Sequence, residues 1–196
     1  VSGTCASLAG LEKAIADDDP GDIELAIRRI ILIHGVIMTI GGIPLIYLGD
    51  EIAALNDYEY ENETKKLGDT RWLHRAPFDW QRSEQRRDPE SIPGRVYERI
   101  LRLIQLRQQN LAFTRAGTEI IETGNDHVLG YFRNHEEHSV LVLANFSDVE
   151  QRLEGRRLRH MGLRKIVVDM VEGQIITATH EMVIEPYQFM VLARPM

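Results

Sequence analysis

This chain of 196 residues has a single cysteine and fewer basic than acidic residues, and each of these features excludes a class of protein. Cys5 is the single cysteine, so the chain cannot form an internal disulfide and is not a disulfide-stabilised scaffold. Lys and Arg number 23 against 30 Asp and Glu, which gives a formal net charge of -7. Because that excess repels phosphate groups, we do not expect nucleic acid to be the main partner.

An uninterrupted hydrophobic run is also missing. The most apolar stretch, residues 30–48, contains Gly41, Gly42 and Pro44. A helix that crosses a bilayer needs roughly 20 consecutive apolar residues, so we predict no membrane span and no membrane partner. The chain has neither an initiating Met nor a signal peptide. We therefore expect Val1 to be a cut end of a longer protein, and both a cytoplasmic and a secreted location stay open, with the cytoplasm slightly favoured.

The chain has the composition of a folded protein, with 43% hydrophobic and 27% charged residues. Apolar residues at helical spacing predict a short helix that ends at the acidic run 17–19. A second helix is predicted from Asp22, a plausible N-cap, to the glycine pair at 41–42. Residues 43–48 are apolar at every position, which is typical of a strand buried on both faces of a parallel sheet.

The chain changes character twice after this strand. Residues 50–89 are polar and show no apolar period, so they are predicted to form one long loop, and loops of that length are usually functional or disordered. A helical period returns over residues 91–110. Beyond residue 111, eight short apolar segments predict an antiparallel β-sandwich; they cover residues 119–123, 128–133, 139–145, 149–153, 164–169, 174–178, 182–185 and 187–193.

The acidic pair Asp50 and Glu51 is the best positional indication of chemistry. It directly follows the predicted strand 43–48, and in parallel α/β folds reactive groups collect at the carboxyl ends of the strands. The alternative is that these carboxylates pair with arginines or cap a turn. No spacing of His, Cys or carboxylates suggests a metal site, and no cofactor is expected.

An ordered series of motifs resembles the amylosucrases of the alpha-amylase superfamily (glycoside hydrolase family 13). The most distinctive are GIPLIYLGDE at residues 42–51 and DTRWLHR at residues 69–75. They are accompanied by shorter matches at residues 1–4, 55–57, 86–89, 143–147 and 185–188. The resemblance runs nearly from end to end.

This resemblance implies a fold that is α/β plus all-β. Residues 1–110 would be the end of a (β/α)8 TIM barrel, containing helix 7, strand 8 and helix 8, with residues 1–20 from the loop insert after strand 7. Residues 111–196 would be the C-terminal antiparallel β-sandwich domain. The parent would cleave sucrose with retention, release fructose and transfer glucose to an α-1,4-glucan. Its partners would be sucrose, α-glucan and the N-terminal remainder of the same polypeptide.

Retaining hydrolysis requires a carboxylate nucleophile and a carboxylic acid about 5 Å apart. The resemblance implies that both precede Val1, so this chain holds no catalytic residue and is expected to be inactive alone. Arg71 matches an arginine that closes the sugar pocket with an acidic residue of an early loop, and is predicted to bind substrate. Asp50 and Glu51 would support the floor of the active site, and His74 and Arg75 would brace the same loop.

Several features have a structural interpretation as well as a functional one. Trp72 and Trp80 could stack on sugar rings, although buried loop anchors are the favoured interpretation. His34 lies on an apolar helix face and is predicted to be a core residue. The basic stretch 152–165 is predicted to be a solvated edge of the sandwich. Two other functions stay open for the chain: part of a sucrose hydrolase of the same family, or a non-catalytic carbohydrate-binding or interaction module.

Overall fold

The computed structural model describes residues 2–114, 117–135, 139–177 and 180–195, which fall into two compact units. The first unit contains Val1–Ile31 and Ile46–Ile100, and the second contains Leu32–Leu45 and Leu101–Met196. The domain boundary near residue 111 stays a prediction. No helix among the described residues is long and apolar enough to cross a membrane.

Two short helices begin the first unit, where the sequence predicted one. Helix α1 covers Cys5–Leu8 and is capped by Thr4, whose Oγ1 accepts a hydrogen bond from the Ser7 amide at 3.2 Å. Helix α2 covers Leu11–Ala16. Gly10 separates them with a φ of 91°, a left-handed conformation that glycine adopts without steric cost.

The predicted second helix is confirmed as α3, Pro20–Thr39. Its first turn is capped by Asp19, whose Oδ1 accepts from the amides of Gly21 at 2.8 Å and Asp22 at 3.0 Å. The cap is therefore three residues earlier than predicted. The helix ends before Gly41 and Gly42, which both have positive φ, and it buries His34 to 2% exposure, as predicted for a core histidine.

Residues 43–47 have no regular secondary structure, residue 48 lies in a turn, and none of them pairs in a strand with any described residue. Ile43, Leu45 and Leu48 are 98%, 77% and 66% exposed. The predicted buried parallel strand is thus not seen in this chain, because a strand exists only where neighbouring backbones satisfy its amides and carbonyls.

The polar region after residue 49 contains more regular structure than the predicted single loop. It forms four short 3₁₀ helices and one α-helix: Asp50–Ile52, Glu59–Asn62, Thr70–His74, α4 at Trp80–Glu84 and Gln85–Arg87. Helix α5, Ile92–Gln109, then follows and confirms the helix predicted over residues 91–110. Short 3₁₀ turns carry no apolar period, which is why the pattern could not show them.

The second unit contains an antiparallel β-sandwich in which all eight predicted segments have a strand. The strands are β1 Gly117–Ile121, β2 Val128–Asn134, β3 Val140–Asn145, β4 Gln151–Glu154, β5 Ile166–Asp169, β6 Gln174–Thr177, β7 Glu181–Ile184 and β8 Phe189–Ala193. One sheet has the order β1-β2-β3-β8-β5-β6, and the other pairs β4 with β7. Ala178, the last residue of one predicted segment, lies outside the described residues.

The core of the sandwich lies between its two sheets. Leu141, Leu143 and Met190 of the large sheet pack with Leu153 and Met182 of the small one. A helix that the sequence did not predict, α6 at Gly155–His160, adds Leu158 to the same core. The basic stretch 152–165 is therefore part strand and part helix, and Leu158 is 1% exposed.

The other face of the large sheet is covered by the end of α3. Gly35 lies against Phe189 of β8, and a Cβ on this glycine would be only 2.6 Å from the Phe189 ring. One turn later, Thr39 Oγ1 donates to the Gly35 carbonyl at 2.7 Å and lies 2.6 Å from the Tyr131 hydroxyl. Because the Thr39 hydroxyl donates its one proton to the Gly35 carbonyl, the Tyr131 hydroxyl donates to Thr39 Oγ1. Burial raises the pKa of Tyr131 to about 12.

Gly35→Ala tests this packing. The added methyl group has no space beside Phe189, so we expect overpacking to lower the free energy of unfolding by about 1–3 kcal/mol. Gly117→Ala is the matched control, because a Cβ there meets nothing within 4 Å. Urea denaturation measures the free energy of unfolding of both variants and of the wild type. If Gly35→Ala unfolds at the same urea concentration as Gly117→Ala, the close approach of α3 to β8 is contradicted.

Asp169 is a buried carboxyl group at the end of β5. It is 1% exposed, and its Oδ1 accepts from the amides of Val171 at 3.0 Å and Val191 at 3.2 Å. Burial raises its pKa from 3.8 to about 6, against the opposing effect of these two hydrogen bonds. The folded chain therefore holds this proton to a higher pH than the unfolded chain does.

Asp169→Asn should remove a pH dependence of stability. The stabilising contribution of the protonated Asp169 is complete below pH 3.8 and is lost as the pH rises through about 6, a difference of about 3 kcal/mol. An asparagine keeps an acceptor for both amides and does not ionise. We expect the free energy of unfolding of Asp169→Asn, measured by urea denaturation, to rise relative to that of the wild type between pH 4 and pH 8. Asp148→Asn is the control, because Asp148 is exposed, and its plot of stability against pH should run parallel to that of the wild type. A parallel curve for Asp169→Asn would refute the prediction.

Candidate functional site

A hollow of about 550 Å³ opens in the first unit at the end of the apolar segment 43–48. Its lining comes from residues 47–57 and 74–82, with Thr4 added. The walls are of mixed character, because Asp50, Asp57, His74 and Arg82 are interspersed with aliphatic and aromatic groups. This volume and mixture of groups are those of sites for small molecules.

The acidic pair lies on a strained turn at the edge of this hollow. Gly49 and Ala53 have φ values of 99° and 52°, and the Ala54 amide donates to the Gly49 carbonyl at 2.9 Å. A left-handed conformation costs a non-glycine residue roughly 1 kcal/mol, so the surrounding structure must hold Ala53 in place. Asp50 lines the hollow, whereas Glu51 turns back and accepts from the Gly49 amide at 2.8 Å.

Arg82 is the residue that holds this turn, and the sequence did not predict it. From helix α4, its Nε donates to the Ile52 carbonyl at 2.9 Å and its Nη2 donates to the Ala53 carbonyl at 2.8 Å. Burial lowers the pKa of Arg82, and nearby Asp79 opposes that shift. The N-cap pattern of Asp79, which accepts from the Arg82 amide, could have indicated the helix but not the target of the guanidinium.

His74 is one of the residues that line the hollow. Its imidazole contacts the Tyr47 ring edge-on, with centroids 6.3 Å apart. Its Nδ1 is buried and has no hydrogen-bond partner within the part of the chain that the structure describes. Buried polar atoms are almost always paired, so this nitrogen is an exception.

Arg71 and Arg75 lie outside the residues that line the hollow. Arg71 is 66% exposed and donates from Nε and Nη2 to the two carboxylate oxygens of Asp69, each at 2.8 Å. These hydrogen bonds lower the pKa of Asp69 to about 2, to which the charge of Arg75 also contributes. The structure thus brings together Asp50 and His74 in the hollow and pairs Arg71 with Asp69 outside its lining. The predicted roles of Arg71, Asp50, Glu51, His74 and Arg75 stay predictions.

The two tryptophans differ in their surroundings. Trp72 is half-buried beneath the Lys66 ammonium, which lies 4.9 Å from the ring centroid. Trp80 is 75% exposed, so its interpretation as a buried anchor is wrong. It packs edge-on against Phe78, which lines the hollow, with centroids 4.9 Å apart.

Two further groups bear on the chemistry available here. Burial, with the negative charge of Asp50, raises the pKa of Cys5 to about 11, so this thiol is not a nucleophile at neutral pH. Across residues 2–114, 117–135, 139–177 and 180–195, no group of three or more His, Cys, Asp or Glu side chains is arranged to hold a metal ion.

Comparison with known proteins identifies relatives of both the sequence and the fold. Residues 118–191 match the family model of the maltogenic amylase C-terminal domain. Glucosylglycerate phosphorylase of Escherichia coli (strain K12) is 24% identical over 164 residues, which covers 83% of this chain and 27% of that protein. The chain therefore spans about a quarter of the length of this curated relative.

Two solved structures share the fold. AmyP in complex with maltotriose has a TM-score of 0.69 at 14% identity, over 86% of this chain and 35% of that one. A MutB mutant in complex with the substrate sucrose has a TM-score of 0.61 at 17% identity, over 84% of this chain and 38% of that one. At such identities the likeness shows the fold alone.

Arg82→Lys tests whether the guanidinium fixes the turn. A lysine ammonium cannot reproduce the planar fork that bonds two carbonyls, so we expect the Ala53 and Ala54 amides to exchange with solvent at least tenfold faster. Arg87→Lys is the control, because Arg87 is 73% exposed and pairs with Glu84 on the surface. Unchanged exchange in Arg82→Lys, measured by NMR, would show that the turn holds itself.

Proposed function

We propose that this chain is the C-terminal portion of a retaining glucosyltransferase of the alpha-amylase family (glycoside hydrolase family 13). The match of residues 118–191 to the maltogenic amylase C-terminal domain and the similarity to glucosylglycerate phosphorylase support this proposal. The parent enzyme cleaves sucrose, releases fructose and transfers the glucosyl group to an α-1,4-glucan, as amylosucrases do. The observation that carries the proposal is the unpaired apolar segment 43–48, which leads into a strained acidic turn at the edge of a hollow.

The properties of that segment support an assignment to strand eight of a (β/α)8 barrel. Its side chains are apolar at every position yet mostly exposed, as expected of a strand whose two neighbours are supplied by other parts of a barrel. Helices α3 and α5 lie before and after it in the chain and correspond to helices seven and eight. In such barrels the loops after the strands build the active site, and the hollow follows this strand directly.

The part played by this chain is to shape the sugar pocket rather than to break the bond. The nucleophile and the acid of a retaining mechanism are supplied by the remainder of the parent polypeptide. Asp50, on its clamped turn, and His74 both line the hollow. Both can orient sugar hydroxyl groups without entering the covalent step.

Arg71 contributes a fixed set of donors. Asp69 occupies its Nε and Nη2, which fixes the plane of the guanidinium and leaves Nη1 without a partner among the described residues. A guanidinium held in this way presents its free N–H groups to a hydroxyl at little cost in side-chain entropy. It therefore serves as a hydrogen-bond donor at the closed end of the pocket.

Sucrose as the donor substrate is supported by the motif at residues 69–75. Three product patterns distinguish the activities. A glucosyltransferase releases fructose and lengthens an added glucan, a sucrose hydrolase releases equal glucose and fructose, and a phosphorylase like the Escherichia coli relative requires inorganic phosphate. The proposal requires the first pattern.

Two measurements test the proposal. We expect the chain alone to release no fructose from sucrose above the blank, and the longer protein that contains it to release fructose and lengthen maltoheptaose. In that longer protein, Arg71→Ala should reduce sucrose turnover at least about tenfold, because a charged hydrogen bond contributes about 1.5–3 kcal/mol. Ala at Arg87, an exposed surface arginine, should leave turnover unchanged. Full turnover by Arg71→Ala, or sucrose cleavage by the chain alone, would overturn the assignment of roles.

A further inference from the structure

Arg82 is the one arginine among the described residues that line the hollow of the first unit. Three carboxylates line the same hollow, those of Asp50, Asp57 and Asp79. Within the described part of the chain, Arg82 nevertheless makes no ion pair, and its guanidinium donates only to the carbonyls of Ile52 and Ala53. The side chain therefore holds a backbone conformation and does not neutralise a carboxylate.

Water cannot take the place of this guanidinium. Ile52 and Ala53 are 1% and 0% exposed, so their carbonyl groups are shielded from solvent. A buried carbonyl that loses its donor destabilises the conformation that buries it. The turn is strained as well, because Ala53 has a φ of 52°. Its conformation at the edge of the hollow therefore depends on two donors of a single side chain.

The helix that carries Arg82 is itself fixed by further contacts. Ser83, the next residue of α4, is 5% exposed, and Arg86 Nη1 donates to its carbonyl at 2.6 Å and to its Oγ at 2.7 Å. The Arg86 guanidinium lies over the Tyr97 ring of α5, 6.0 Å from the ring centroid. A series of contacts thus runs from α5 through Arg86 and α4 to the turn that carries Asp50.

We propose that Arg82 is a positioning residue for the reaction of the parent enzyme and that it acts through Asp50. The inference rests on the proposed function, in which the loop after strand eight builds part of the sugar pocket. Asp50 begins the 3₁₀ turn whose later carbonyls Arg82 bonds. A shift of about 1 Å in a group that orients the substrate costs on the order of a hundredfold in rate, so turnover depends on this turn being fixed.

Lysine at this position keeps the charge of Arg82 but loses its geometry. A single ammonium group cannot bond two carbonyls in the plane that the guanidinium fork spans. In the longer protein that contains this chain, we therefore expect Arg82→Lys to lower kcat/KM for sucrose at least about tenfold. Arg87→Lys is the control and should leave kcat/KM unchanged, because Arg87 is 73% exposed and pairs with Glu84 on the surface.

A double-mutant cycle separates positioning from a general loss of stability. If Arg82 acts through Asp50, then Asp50→Ala already removes the group that Arg82 positions. The variant with both Arg82→Lys and Asp50→Ala should then lie within about twofold of the slower single variant, whereas independent effects multiply. Multiplied effects, or a wild-type kcat/KM for Arg82→Lys, would overturn the inference.

Chemical rescue gives a measurement that does not depend on lysine. Arg82 lines the hollow and is partly exposed, so a small cation can enter the space that Arg82→Ala leaves. Ethylguanidinium carries the planar fork and should restore the sucrose turnover of Arg82→Ala at least about fivefold, whereas ethylammonium should not. Equal rescue by both cations, or rescue by neither, would contradict the role of the fork.

The proposed function is read separately from this inference. A longer protein that cleaves no sucrose would refute sucrose as the donor, and the same cycle is then measured on the glycoside that it does cleave. The coupling of Arg82 to Asp50 is thus tested in either case. Sucrose cleavage with multiplied effects would keep the proposed function and refute the positioning role.

Discussion

The structure depends on arginine side chains that satisfy backbone carbonyls at both ends of one apolar segment. Before residues 43–48, Arg107 bonds the carbonyls of Met38 and Gly42, and the buried Arg133 donates to the carbonyl of Ile40 at 3.0 Å. The Met38 carbonyl belongs to the last turn of α3, where helical amides run out, and those of Ile40 and Gly42 lie just after the helix. After the segment, Arg82 bonds two carbonyls of the turn that follows. Each end is thus held by hydrogen bonds within its own unit, and the side chains of the segment are mostly exposed.

Helix α5 and the eight strands could be predicted from the sequence because their apolar residues recur at one period and turn residues bound them. The periodicity of apolar residues failed to predict elements that are buried through only one or two side chains. Helix α6 was missed because four of its six residues are basic and only Leu158 reaches the core. Segment 43–48 has the composition of a buried strand, but pairing depends on the neighbours that a chain meets, which composition does not supply.

In the candidate site, too, residues whose role depends on neighbours in sequence could be predicted, and residues whose role depends on distant parts of the chain could not. Asp50 was predicted by its place after an apolar segment, a feature that one stretch of sequence contains in full. Arg82 was not predicted, because its importance lies in two carbonyls about thirty residues earlier in the chain. The partner of Arg71 within this chain, Asp69, is only two residues away and could have been recognised as a local ion pair. Trp80 shows that residue type alone does not predict burial, since its large apolar ring is exposed.

Hydrogen exchange along residues 43–48 is the most direct test of the central claim that this segment is a barrel strand in the parent enzyme. In the chain alone, the amides of Leu45, Ile46 and Tyr47 have no strand partner and should exchange at nearly the rate of an unfolded peptide. In the longer protein that contains this sequence, pairing with neighbouring strands should slow the same amides at least a hundredfold. Rapid exchange in both proteins would show that the segment pairs with nothing and would contradict the barrel assignment.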